Sequence, residues 1–232
     1  MPETPEIIFE DNHLIAVNKT VHDLVQKDKT GDEALDDRLR HYLKVKFNKP
    51  GNVYLGITHR LDRPVSGVVI FTRTSKALTR MNKLFREGEI SKKYWAVVKV
   101  KPQKENDTLV HYLIKNEQKN KSYCVDKNRP GAKRAELDYS YLCSSDTYHL
   151  LEVSLKTGRH HQIRVQLAAI GCPIKGDLKY GFDRSNRDGG ISLHARELVF
   201  HHPVSGAEIV LRADPPGSDP LWQYFREVAT SE

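Results

Sequence analysis

Cysteine is scarce in this chain of 232 residues. There are three, Cys124, Cys143 and Cys172, far apart, odd in number and never in CxxC spacing. That pattern excludes a full disulfide framework, and the thiols read as reduced and structural. No run of eighteen apolar residues is present, and Met1-Pro2-Glu3-Thr4-Pro5-Glu6 has neither the basic nor the apolar region of an export signal. A membrane-crossing helix and a secretory leader are therefore not expected, and the expected location is the cytoplasm. There is no HExxH, and the pairs His160-His161 and His201-His202 have no carboxylate at ligand spacing. Adjacent histidines on one element are expected to point apart, so no metal site is read. Internal repeats and low-complexity tracts are missing too.

Cations are in excess: 37 Lys and Arg against 30 Asp and Glu give a net charge of +7. An acidic partner follows most simply, and nucleic acid is the simplest of those. The hydrophobic content of 38% suits an ordinary core. The length allows one large domain or two small ones. A single domain over residues 1–232, working as a monomer, is the expectation.

Strands are expected at Glu6 to Glu10, Leu14 to Asn18, Val68 to Phe71, Lys92 to Val100, Ala135 to Cys143, Tyr148 to Lys156, Leu193 to Phe200 and Ala207 to Arg212. Helices are expected at Glu33 to Phe47, between a Thr74 cap and Gly88, at His160 to Ile170 and at Pro220 to Val228. The class is α+β with mainly antiparallel pairing. Lys115 to Arg134 carries seven cations against Glu117 and Asp126. It reads either as a solvated loop or hairpin, or as a basic arm gripping phosphates.

Three segments carry chemistry. In His59-Arg60-Leu61-Asp62-Arg63-Pro64-Val65-Ser66-Gly67, one carboxylate lies among cations at the entry to an apolar strand. Pro64 stiffens the loop and Ser66-Gly67 reads as turn chemistry. Asp62 is either a surface ion-pair partner of Arg60 or Arg63 or a reactive carboxylate on a rigid loop. In Lys156-Thr157-Gly158-Arg159-His160-His161-Gln162-Ile163-Arg164-Val165-Gln166-Leu167, a glycine turn opens a basic, donor-rich helix. Such a start suits an anion, and an amphipathic surface helix would look similar. Lys93-Tyr94-Trp95-Ala96-Val97-Val98 is a strand whose Tyr94, read alone, is a packing residue.

The first segment resembles the HRLD signature loop of the RluA-type pseudouridine synthases, with Val65 where that family usually has Thr. The second is similar to the family's GRxHQIRVHL motif, with Gln166 in place of His, and the match continues through Gly171, Pro173, Ile174 and Gly176-Asp177. The third is similar to the KxYxAxV strand. Asn12 to Lys19 is family-like, but Thr20-Val21-His22 stands where Pro, a small residue and Gly are usual. Leu193-His194-Ala195 and His202-Pro203 fit the closing pattern, so the resemblance covers about residues 6–212.

The resemblance implies a mixed, mainly antiparallel sheet with flanking helices and a central RNA-binding cleft, in one catalytic domain without a separate N-terminal RNA-binding domain. The implied activity is isomerisation of specific uridines in ribosomal or transfer RNA, which requires no cofactor and no metal. The implied catalytic residues are Asp62, Tyr94 and Arg164, with His59, Arg60, Arg159 and Gln162 binding RNA or supporting the loop. Asp62 can serve as nucleophile, as electrostatic partner of an oxocarbenium ion or as base. Arg164, as the basic partner, can grip its carboxylate with a two-pronged fork. Tyr94 offers a ring for the uracil and a hydroxyl for proton transfer. Arg60 can fill the gap left by a flipped nucleotide or hold its phosphate. A noncatalytic RNA-binding module is the rival reading. Which RNA is modified, and whether an acylal or a glycal pathway operates, stay open.

Overall fold

The computed structural model of the chain describes residues 4–27 and 31–229. The first three residues, part of the segment read for a leader, lie outside it. The chain divides into two compact units, Met1–Ile90 with Ala195–Asp214, and Ser91–His194 with Pro215–Glu232.

The first unit contains strands β1 (Glu6–Glu10), β2 (Leu14–Lys19), β3 (Gly56–Ile57) and β4 (Ser66–Thr72), and helices α1 (Leu35–Lys46) and α2 (Ser75–Glu87). The later part of β10 (Leu193–His201) and β11 (Glu208–Arg212) complete it. The strand order is β1-β2-β4-β10, with β3 beside β4 and β11 beside β10. β2 and β4 pair antiparallel from Leu14 with Thr72 to Lys19 with Gly67. Both are apolar on both faces because each face has its own helix. Leu14, Ala16, Val68 and Ile70 pack with Ala77 and Met81 of α2. Ile15, Val17, Val69 and Phe71 pack with Leu35, Leu39 and Leu43 of α1. Each large side chain so buried contributes about 1.5–3 kcal/mol. The ends of α2 are set locally: Thr74 accepts the Ala77 N–H at 3.2 Å, and Gly88 closes the helix at φ 76°.

Ser66 and Gly67 lie inside β4, not in a turn. Gly67 is needed because a Cβ there would strike the backbone of Ala195, at a φ of 116°. The turn comes earlier, closed by the Val65 N–H on the Asp62 carbonyl at 3.0 Å.

The second unit contains β5 (Ser91–Val98), β6 (Asn106–Asn116), β7 (Lys121–Val125), β8 (Lys133–Ser144), β9 (His149–Leu155), α3 (Gln162–Ala169) and α4 (Pro220–Ala229). Its strand order is β5-β9-β8-β6-β7, every pairing antiparallel. On β5, Trp95 and Val97 pack with Trp222 and Phe225 of α4. Side chains alternate along a strand, so Lys92, Tyr94 and Ala96 face the other way. That other face carries α3. Tyr94 pairs with Val153, Val153 with Tyr139, and Ala135 on the same face of β8 packs with Val165 of α3.

β6 and β7 are not among the expected strands, although the hairpin alternative for Lys115 to Arg134 is what joins them. Only Leu109 and Leu113 of β6 are buried apolar residues, too few for a strand signal. The basic segment 115–134 is accordingly no free arm. It is the end of β6, all of β7 and the start of β8, with Lys115 paired to Glu117 and Arg134 to Glu136.

Candidate functional site

Asp62 is half-buried on the loop before β4, and the backbone around it is held by a lysine from β2. Lys19, the last residue of β2, is 1% exposed. Its ammonium donates to three carbonyls, those of Thr20 at 2.8 Å, Arg63 at 2.8 Å and Val65 at 2.7 Å. All three ammonium protons are used, and the loop is clasped on both sides of Pro64. Burial pulls the Lys19 pKa from 10.5 down to about 7, against the opposing pull of Asp23 and Asp62. His59 secures the loop's start: its Nε2 accepts the Ile70 N–H at 3.1 Å, and its ring lies 4.8 Å from that of Phe85. Arg63 turns outward to Asp32 at 2.9 Å. Arg60 is exposed and has no hydrogen bond or ion pair among the described residues. Neither arginine therefore serves Asp62 as the surface partner that the loop sequence allows.

The glycine turn before α3 is fastened by Gln162, which is 3% exposed. Its Oε1 accepts from the Thr157 hydroxyl at 2.8 Å and the Arg159 N–H at 2.9 Å, and its Nε2 donates to the Glu136 carbonyl at 3.0 Å. Arg159 stays exposed, its Nε on the Arg134 carbonyl at 2.9 Å. α3 starts at Gln162, two residues later than expected, because His161 adopts a left-handed backbone at φ 53°. That conformation also corrects the expectation for the histidine pair. His160 and His161 do not point apart; their rings stack 3.8 Å apart. Burial first, and the Arg164 charge second, bring the His161 pKa from 6.5 to about 2, so its ring is neutral. Its Nδ1 lies 2.9 Å from the Tyr180 hydroxyl, which also accepts the Ser122 N–H of β7 at 2.8 Å.

The helix is buried all round, from Gln162 through Leu167, which excludes the amphipathic surface reading. Arg164 is 5% exposed and Asp177 1%. The arginine fork meets this carboxylate, Nε to Oδ2 at 2.7 Å and Nη2 to Oδ1 at 2.8 Å. The guanidinium also lies 5.1 Å above the Tyr180 ring. Tyr94, 8% exposed, stands on the same sheet face as α3, which packs over β6 and β8. Asp62, His59 and Arg60 thus belong to the first unit, and Tyr94, Arg159, Gln162 and Arg164 to the second.

Residues 13–169 match the model of the family described as RNA pseudouridylate synthase. The chain belongs to this family. A relative named tRNA pseudouridine synthase C, from Vibrio vulnificus, is 30% identical over 96% of this chain and 94% of its own. Another, named ribosomal large subunit pseudouridine synthase D, from Zymomonas mobilis, is 30% identical over 91% of this chain and 69% of its own. Among solved structures, human RNA pseudouridylate synthase domain containing 4 shares the fold, with a TM-score of 0.76 at 24% identity, covering 92% of this chain and 89% of that one. These matches make the α+β fold that of a pseudouridine synthase and the activity uridine isomerisation in RNA, and they set aside the noncatalytic module.

The positions that depart from the family pattern have their own local solutions. Thr20 closes its loop through Asp23, whose Oδ2 accepts the Thr20 N–H at 2.9 Å and hydroxyl at 2.8 Å, while Oδ1 meets Arg38 of α1 at 2.6 Å. Gln166, where His is usual, donates to the Leu109 carbonyl and to His111 Nδ1, both at 3.0 Å, and so pins α3 to β6. Val65 is buried at 2%. Lys19, Asp177 and Tyr180 were not singled out from sequence. Of these, Lys19 and Asp177 sit at the ends of family-like segments, the one signal the sequence carries for them.

Proposed function

We propose that this enzyme isomerises specific uridines of structured RNA, transfer RNA or large-subunit ribosomal RNA, with Asp62 as the group that acts at the ribose. One observation carries the assignment: Asp62 keeps part of its surface in solvent while its backbone is clasped by a buried lysine. A reactive group needs both access and a fixed position. Relatives named for transfer RNA and for ribosomal RNA match at the same 30% identity, so the reading keeps both substrate classes.

The reaction breaks the bond from N1 of uracil to C1′, turns the base and forms a C5–C1′ bond, with the proton lost from C5 balanced by one taken up at N1. No atom is gained or lost overall. A carboxylate beside C1′ stabilises or captures the cationic sugar, by the logic of glycosyl transfer. Tyr94 receives the uracil on its ring and offers its hydroxyl for the C5 proton. Arg164, its guanidinium oriented by Asp177, supplies a positive electrostatic anchor. Exposed Arg60 holds the backbone of the flipped nucleotide or fills its gap, and Arg159 meets RNA phosphates. His59 and Gln162 support the loops. The chain works as one catalytic domain and as a monomer in the cytoplasm, without metal or organic cofactor.

The test is to incubate the wild type and Asp62→Asn with total RNA from a strain lacking the gene, mapping pseudouridine by carbodiimide-dependent reverse-transcription stops. New stops are expected with the wild type, and a loss of at least about 10³-fold in rate with the variant, RNA binding being retained. Equal activity in the two proteins would remove Asp62 from the chemistry.

A further inference from the structure

Lys92 is a charged group that none of the roles above uses. It is half-buried, and no hydrogen bond or ion pair reaches it among the described residues. Its neighbour Lys93, on the opposite face of β5, has a partner in Glu152 at 2.9 Å. Burial alone lowers the Lys92 pKa; no carboxylate is near enough to raise it again. A partly desolvated cation without a counterion is unfavourable unless an anion completes it.

Its position says which anion. Lys92 and Tyr94 are two residues apart on β5 and project from the same face, the one on which α3 packs against β6 and β8 further along the sheet. Side chains so spaced stand about 6.7 Å apart along the strand. Lys92 is also one step beyond the Lys93–Ser154 pair, level with Leu155, the last residue of β9. There the chain turns through Lys156 and exposed Arg159 into α3. A base lying on the Tyr94 ring leaves its own backbone within reach of a lysine stem at this end of the sheet.

We infer that Lys92 is the subsite for a backbone phosphate of the nucleotide that Tyr94 receives. The inference rests on the proposed role of Tyr94 and adds the group that recognises the nucleotide's charge. Lysine serves here as a point charge on a flexible stem and needs no fixed fork geometry.

The experiment compares the wild type, Lys92→Gln and Lys92→Arg. Steady-state kinetics are combined with binding across a KCl series, using a labelled transcript of the RNA found to be modified or, if none is, bulk transfer RNA. Lys92→Gln is expected to raise KM about tenfold, to leave kcat within about twofold, and to reduce the slope of log K against log salt by about 0.7–0.9, the share of one phosphate contact. Lys92→Arg restores both KM and slope, which a packing defect would not allow. An unchanged slope in Lys92→Gln overturns the subsite, and so does a slope loss that Lys92→Arg fails to reverse. If the slope changes as expected but the wild type forms no pseudouridine in any RNA, the functional reading fails while the phosphate contact stands.

Discussion

The loop that carries Asp62 and the turn that leads into α3 are both held rigid, by different chemistry. The first is clasped by one ammonium group reaching three backbone carbonyls. The second is fastened by a neutral amide, Gln162, and ends on an arginine already matched to a buried carboxylate. The ammonium titrates near neutrality, with a pKa of about 7, whereas the histidine beside Arg164 is neutral down to a pH of about 2. Rigidity in the first unit is therefore sensitive to pH, and rigidity in the second is not. The first loop also leaves Arg60 and part of Asp62 exposed, while the second buries all of its charged pair.

The comparison breaks most severely at Asp177. Asp177→Ala leaves the Arg164 guanidinium buried without its fork partner, and losing one member of a buried pair costs about 3–5 kcal/mol. Urea unfolding followed by circular dichroism should show a lower midpoint at an unchanged slope. Asp177→Asn keeps the shape and part of the hydrogen bonding, and should fall between the two. A midpoint for Asp177→Ala within about 1 kcal/mol of wild type would mean that the pair does not hold the second site.

Lys19 is the next test. Lys19→Met removes the clasp without adding charge, and a misplacement of the loop by about 1 Å is worth about 10²-fold in kcat/KM. RNA affinity and its salt slope should not move, because Lys19 faces backbone and not solvent. In the wild type, activity should decline above pH about 7 as Lys19 loses the proton that completes its third bond. Stability should move the opposite way. The folded pKa of about 7 lies below the ordinary 10.5, so between these values the unfolded chain holds a proton that the folded chain has released. Raising pH through that window favours the folded state, and the penalty for burying the ammonium is fully present below it. Lys19→Met should lose both trends. An alkaline decline that survives in Lys19→Met belongs to another group.

How far these regions could be read from residues alone follows from the range of each signal. α2 was legible because Thr74, Gly88 and the apolar spacing between them all act within a few residues. The Asp62 loop was legible because Pro64 and the apolar run after it are local too. Lys19 is not legible as a clasp, since a lysine at a strand end normally snorkels to water, and two of its three acceptors lie 44 and 46 residues away. Asp177 was likewise hidden as the fork partner, 13 residues beyond Arg164 across a turn. The stacked histidines depend on a left-handed residue that is not glycine, which no spacing rule anticipates. β6 takes its stability from pairing with β8, and β7 from pairing with β6 and from contacts such as Ser122 to Tyr180, not from apolar patterns of their own.

The smallest effect is expected at Arg63, and it sharpens the contrast between holding a loop and decorating it. Arg63 pairs with Asp32 at 2.9 Å, but the two side chains are 46% and 49% exposed. Water and salt screen such a pair, so Arg63→Ala should change stability by about 0–1 kcal/mol and leave kcat nearly untouched. The Arg63 carbonyl, which Lys19 grips, survives the substitution because it belongs to the backbone. If Arg63→Ala instead proves as damaging as Lys19→Met, the loop is held by its surface arginine, and the clasp from β2 loses its standing as the device that fixes Asp62.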